Sequence, residues 1–343
     1  MNFNDPNNIF VIAEAGSNWK CGDFDDDLNQ AKNLIKVAAK SGANAVKFQT
    51  YRPETTYVSN PGTSDYLSKI GTTENINDIF EKHSMPYEMI PELVKICKNE
   101  NILFMSTPFS LQDAKSIDEF VLVHKIASFE INHIPLLRKV AKTKKPVIMS
   151  IGASSLSEIE EAVNTLRSEG CGELILLKCT SAYPALHSDA NLVTIPHLKN
   201  LFNCEVGLSD HTKGIAAPIV AVGLGAMYIE KHFCLDRSKK GVDSEFSLEP
   251  DEFKMLTREV RNAYKTIGVI NYGLIDSEKK GDAGKRSIYV SDFIKSGEKI
   301  TEKNIKIIRP GYGMHPRYFD KVIGKIVLSD LHPGDKLSFN KLK

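Results

Sequence analysis

The sequence predicts a (β/α)8 barrel of the TIM type followed by a small β-rich domain. Three observations predict it. Eight short apolar, β-branched runs recur over about 260 residues with helical patterns between them, which is the size of such a barrel. The runs are apolar on both faces for much of their length, as strands of a helix-covered parallel sheet are. Beyond the last helical pattern the composition changes to short β runs separated by tight turns. A doubly wound open sheet is the competing architecture. It fits less well, because the first βα turn carries no GxGxxG and the unit count is eight.

The runs are "IFVIAEAG" (9–16), "NAVKFQT" (44–50), "ILFMSTP" (102–108), "VLVHKIAS" (121–128), "PVIMSIG" (146–152), "LILLKCT" (174–180), "EVGLSD" (205–210) and "MYIEKHF" (227–233). A helix is predicted over 27–42, where Ala31, Leu34, Ile35 and Ala38 recur at helical spacing and Gly42 makes a stop. Another is predicted over 155–170, opened by a Ser-x-x-Glu capping signal and closed by Gly170. Residues 51–85 are too long and polar for an ordinary βα loop, and long loops at a barrel mouth commonly wall or cover a substrate. A helix over 250–268 completes the barrel domain, 1–268. Residues 269–285 read as a linker, and 286–343 as a compact domain whose turns are "KSGE", "RPGYG" and "HPGD".

The chain has 343 residues and a net charge of +1, so no global field draws it to nucleic acid or to an acidic membrane. An anionic substrate must then be held by local charges. The cysteines form no CxxC pair and mostly sit in apolar runs, which favours reduced thiols. The N-terminal "MNFNDPNNIF" lacks the basic-then-apolar design of a signal peptide, and no apolar run approaches spanning length. A cytoplasmic protein is expected.

Catalytic groups of a parallel barrel gather at the C-terminal ends of its strands. Those ends carry Glu14; Lys47 and Gln49; Ser106 and Thr107; Lys125 and Ser128; Ser150; Thr180, Ser181 and Tyr183; Ser209, Asp210 and His211; Glu230 and His232. Strand parity puts Lys47 with Gln49, and Glu230 with His232, on common faces. Burying such groups is costly unless they meet partners or a ligand. A single lysine here would read as a surface residue. Two, on the second and fourth strands and flanked by hydroxyls, favour a phosphate or carboxylate site. A lone histidine is usually a hydrogen-bonded core residue, and the other histidines of the runs and helices are read so. His211 and His232, ending adjacent strands, favour a divalent metal. Glu14 and Asp243 are candidates for acid–base work or for orienting a substrate.

The segments "IAEAGSN", "AVKFQTY", "STPFS", "KIASFEIN", "KCTSAYP", "GLSDHT" and "EKHF", in this order, resemble the sialic acid synthase family. Its members condense phosphoenolpyruvate with an amino sugar to give nine-carbon sugar acids. The likeness extends to a C-terminal SAF domain, similar to type III antifreeze proteins. "KCTSAYP", "GVDSEFSLEPDEF" and "GMHPRYF" look most like the pseudaminic acid synthase branch, whose acceptor is a diacetamido trideoxy altrose. N-acetylneuraminate and legionaminate synthases are the alternative, and a non-enzymatic carbohydrate- or ice-binding protein is a remote one. The resemblance implies that Lys47, Thr107, Lys125, Ser128, Ser150, Ser181 and Ser209 bind phosphoenolpyruvate. It implies Mn²⁺ or Mg²⁺ at His211 and His232, and sugar contacts from Gln49, Glu130, Tyr183 and Asp243. Glu14 would steady positive charge or help deprotonate water. Arg309 would reach the partner's barrel in a domain-swapped homodimer. Asn18-Trp19 stands where the family usually has Asn-His, and Ser150-Ile151-Gly152 where it usually has Ser-Thr-Gly.

Overall fold

A computed structural model describes residues 8–59, 61–63, 74–239 and 241–343. The chain forms two compact units, Met1–Gly268 and Val269–Lys343.

In the first unit eight parallel strands follow one another: β1 (Phe10–Glu14), β2 (Ala45–Thr50), β3 (Leu103–Pro108), β4 (His124–Ile126), β5 (Val147–Ser150), β6 (Leu174–Cys179), β7 (Glu205–Asp210) and β8 (Tyr228–His232). Their ladder order is β3-β2-β1-β8-β7-β6-β5-β4, so the first strand pairs with the last. The circle closes where β3 packs beside β4.

The period-two alternation of the strands divides the apolar residues into two cores. Phe10, Ile12, Ala45, Met105, Ile148, Ile175, Leu177 and Tyr228 fill the barrel's interior. Val11, Val46, Phe104, Leu176, Val206 and Ile229 point outward and pack under the helices. The inward series then changes character along each strand: Phe10 and Ile12 give way to Glu14, Ala45 to Lys47, Ile148 to Ser150, and Tyr228 to Glu230 and His232. An apolar plug thus fills one end of the barrel, and polar groups line the other. Gly207 is needed in the plug. A Cβ there would meet the Tyr228 carbonyl oxygen at 2.2 Å and its Cβ at 2.7 Å.

The helices begin and end where local chemistry dictates. The first spans Phe24–Lys40, three residues earlier than predicted, because the Asp23 side chain accepts from the Asp25 and Asp26 amides and starts it there. Its buried face carries Ala31, Leu34, Ile35 and Ala38, as the spacing predicts. Leu156–Ser168 opens on the capping box of Ser155 and Glu158. Pro250–Ile267 packs Phe253, Leu256 and Val260 inward and ends at Gly268, whose φ is +55°.

Two expectations change. The fourth strand is three residues long, not the predicted 121–128; after Ile126 the chain turns into a short 3-10 segment, Ser128–Glu130. The turn holds because Ser128 Oγ accepts from the Gly152 amide at 2.9 Å, across from β5. The long 51–85 connection contains helices Pro53–Thr56 and Ile76–His83; its residues 60 and 64–73 lie outside the described residues.

In the second unit β9 (Ser287–Val290) pairs antiparallel with β10 (Ile305–Ile308). Ile288, Val290, Ile294, Ile300, Ile305 and Val327 are among its core. Residues 269–285, read as linker, include a 3-10 segment, Asp276–Gly284. Among the described residues no helix is long and apolar enough to cross a membrane.

Candidate active site

The polar end of the barrel forms a pocket. Lys47, Gln49, Thr107, Lys125, Ser128, Ser150 and Ser209 line it, with Glu14, Tyr183, His211, Glu230 and His232. Parallel register explains the meeting: β1 sets Glu14 beside Lys47 of β2 and His232 of β8.

Two lysines and two glutamates are buried together. Lys47 Nζ lies 2.6 Å from Glu14 Oε2, 3.1 Å from Thr107 Oγ1 and 3.8 Å from Glu230 Oε2. Lys125 Nζ donates to Ser150 Oγ at 2.7 Å and sits 3.9 Å from Glu230 Oε1, which also accepts from Ser209 Oγ at 3.0 Å. Gln49 Nε2 donates to Glu14 Oε1 at 2.9 Å. Burial raises the Glu14 carboxyl to about 7, Lys47 opposing and Glu230 adding to the rise. Burial pushes Glu230 the same way, but Lys125 and Lys47 outweigh it and hold Glu230 below the usual range. Burial lowers Lys125; for Lys47 the two carboxylates overcome burial and raise it. The arrangement is two ammonium groups ringed by hydroxyls, which suits a phosphate or carboxylate. Glu230 Oε2 is buried without a hydrogen bond, 3.8 Å from the Lys47 ammonium.

The two histidine rings line the pocket side by side, 5.4 Å between centroids and inclined at 57°. His211 Nδ1 is 2.9 Å from the Thr180 carbonyl oxygen. A proton donated there leaves the Nε2 lone pair for a cation. Burial lowers His211, but Cys179 outweighs it and raises the group, so a cation would compete with a proton. His232 is held well below its usual range by burial and by the nearby His211 and Lys47 charges, and is therefore neutral. Its Nδ1 is buried and without a hydrogen bond, 3.9 Å from Asp243 Oδ2. Two imidazoles so held fit one divalent cation. Among the described residues no group of three His, Cys, Asp or Glu is placed to hold one. A cation held there would have these two imidazoles as its side-chain donors.

Tyr183 stacks obliquely on His211 at 4.2 Å, and Phe246 lies edge-on to His232 at 4.9 Å. Ser181 Oγ is 3.9 Å from Cys179 Sγ at the pocket's edge. Asp243 is not in the pocket lining; its Oδ2 is 3.9 Å from His232 Nδ1 and accepts from the Ser17 amide and hydroxyl. Glu130 follows Ser128 in the 3-10 turn; burial raises its carboxyl to about 7. Arg309 belongs to the second unit, exposed, before Pro310. His124, read as structural, is fully buried with Nε2 3.0 Å from Asp118 Oδ1.

Glu230 and Cys179 line the pocket without having been given roles from sequence. The signal for Glu230 was its parity with His232. Cys179 is signalled by its place one residue before Thr180, at the end of β6. Burial pushes its thiol up, but the His211 charge and hydrogen bonds bring it down to about 7.

With this fold and site, the chain belongs to the NeuB family, whose model matches residues 34–272; the SAF domain model matches 285–343. A pseudaminic acid synthase of Campylobacter jejuni is 40% identical over 98% of this chain and 97% of its own length. An N,N'-diacetyllegionaminic acid synthase of the same species is 38% identical over 92% of this chain and 95% of its own. The crystal structure of an N-acetylneuraminic acid synthetase from Leptospira borgpetersenii, in complex with citrate, superposes with a TM-score of 0.69 and 36% identity, covering 80% of this chain and 90% of that one.

Proposed function

We propose that this enzyme is a pseudaminic acid synthase, condensing phosphoenolpyruvate with a diacetamido trideoxy altrose. The single observation that carries the reading is the pairing, in one pocket, of two lysines ringed by hydroxyls with two neighbouring imidazoles. Lys47 and Lys125, with Thr107, Ser128, Ser150, Ser181 and Ser209, hold the phosphate and carboxylate of phosphoenolpyruvate. His211 and His232 hold Mn²⁺ or Mg²⁺, which when bound supplies a Lewis acid for the sugar aldehyde. Gln49, Glu130, Tyr183 and Asp243 orient the sugar.

In the reaction C3 of the enol bonds to the aldehyde carbon, leaving cationic character at C2. Water adds at C2, and the resulting tetrahedral centre expels phosphate with its bridging oxygen. Glu14 stands beside Lys47, where a carboxylate steadies the cation or takes the proton of the attacking water. Release of phosphate, followed with a panel of amino sugars, tests the reading. The altrose derivative should turn over fastest; faster turnover of another amino sugar would reassign the substrate. The legionaminate alternative keeps standing on the 38% identity to that synthase.

The active form is proposed to be a domain-swapped homodimer in which Arg309 closes the partner's sugar site. Mixing Arg309→Ala with His232→Ala subunits should restore activity; mixed dimers that form and stay dead would refute the swap. Six free cysteines support placement in the reducing cytoplasm.

A further inference from the structure

Asp243 is held in an unusual way. Its Oδ2 accepts two hydrogen bonds from one residue on the far side of the sequence, the amide of Ser17 at 2.7 Å and its hydroxyl at 2.8 Å. The same oxygen lies 3.9 Å from His232 Nδ1, a buried nitrogen with no hydrogen bond. The turn that presents Ser17 is shaped for this contact. Gly16 has φ +51°, and a Cβ on it would stand 2.3 Å from Asp243 Oδ2 and 3.1 Å from the His232 ring. Next to it, Asn18 Nδ2 donates to the Phe233 carbonyl and to Ser247 Oγ, each at 2.9 Å, and Ser247 Oγ donates to the Asp243 carbonyl at 2.6 Å. The turn after β1 therefore grips the loop after β8 at both the side chain and the backbone of Asp243.

We propose that Ser17 is a positioning residue, acting through Asp243 to fix the carboxylate against the His232 imidazole. At 3.9 Å the carboxylate makes no hydrogen bond to Nδ1; its negative charge favours a proton on that nitrogen, which leaves the other one for a cation. Carboxylates behind a metal-ligating histidine do this generally, and losing such a partner typically weakens metal affinity by about 10–100-fold. This inference rests on the metal and sugar roles proposed above for His232 and Asp243.

The test is calorimetric titration of the metal-stripped full-length protein with Mn²⁺, beside steady-state kinetics and thermal unfolding. Ser17→Ala should weaken Mn²⁺ binding by about 10-fold and impair sugar kinetics, while the KM for phosphoenolpyruvate and the melting temperature stay near wild type. Ser17→Thr, which keeps the hydroxyl, should recover most of the loss. In an Asp243→Ala background, Ser17→Ala should add little, because the carboxylate that Ser17 positions is already gone. Wild-type Mn²⁺ affinity and sugar kinetics in Ser17→Ala would overturn the proposal, as would effects of the two substitutions that simply add. If the wild-type protein itself took up no Mn²⁺, the metal reading would fall first, and this inference with it.

Discussion

Strands β7 and β8 carry two buried ion clusters, one on each face of the barrel wall. Outward, Lys231 Nζ lies 2.6 Å from Asp210 Oδ2 and also donates to the Thr212 carbonyl, while Asp210 accepts from the Thr212 amide and hydroxyl. Both side chains are buried, and both Asp210 oxygens and the Lys231 ammonium have hydrogen-bond partners. Inward, one residue away along each strand, Ser209, Glu230 and His232 join Glu14, Lys47 and Lys125. There, Glu230 Oε2 and His232 Nδ1 lack hydrogen bonds, and Glu14 Oε2 is met only by the Lys47 ammonium. The outer cluster resembles structure: charges that complete one another. The inner one is incomplete until something else arrives. Buried polar groups left unsatisfied are costly, so their persistence at one end of a well-packed barrel points to a ligand.

The comparison can be broken from either side. The largest effect is expected outside. Lys231→Ala strands a buried carboxylate and should cost about 3–5 kcal/mol of stability, read by chemical denaturation. Inside, His232→Ala should leave the unfolding midpoint near wild type and lower kcat by about 100-fold or more, as Lewis-acid polarisation contributes several kcal/mol. Chelator should abolish turnover of the unaltered enzyme, and Mn²⁺ should restore it. Lys125→Ala should raise the KM for phosphoenolpyruvate by roughly 10–150-fold, the equivalent of a charge-assisted contact of about 1.5–3 kcal/mol, and leave that for the sugar unchanged. A change confined to the sugar's KM would remove Lys125 from the anion site.

The smallest effect is one of pH. Glu14 titrates near 4.5 when unfolded and at about 7 when buried. Between these values the folded chain holds a proton that the unfolded chain has released. Its contribution therefore makes stability fall as pH rises from about 4.5 to about 7, and level off above. Glu14→Gln should flatten that portion of the stability profile.

Much of this was legible in the residues because parity is a local property. Once "MYIEKHF" is a strand with Tyr228 in the plug, Glu230 and His232 must face the same way and Lys231 the other. Caps were legible for the same reason: Ser155 and Glu158 meet within one helical turn. What could not be read was pairing at a distance. Ser17 and Asp243 are 226 residues apart, and no local pattern joins them. The shortness of β4 was hidden because "VLVHKIAS" has the composition of a longer strand, while the turn that ends it depends on Gly152 of a neighbouring unit. Trp19, where the family usually has His, is a core residue packed with the outer apolar cluster.

The central claim is that the inner cluster joins phosphoenolpyruvate to a sugar by water attack at carbon, with the lysines holding the phosphate until it leaves. Running the reaction in oxygen-18 water with phosphoenolpyruvate, Mn²⁺ and the altrose derivative tests it directly. The account predicts label in the C2 oxygen of the nine-carbon acid and none in the released phosphate. Label in the phosphate, with no nine-carbon acid formed, would show plain phosphate-ester hydrolysis and contradict it.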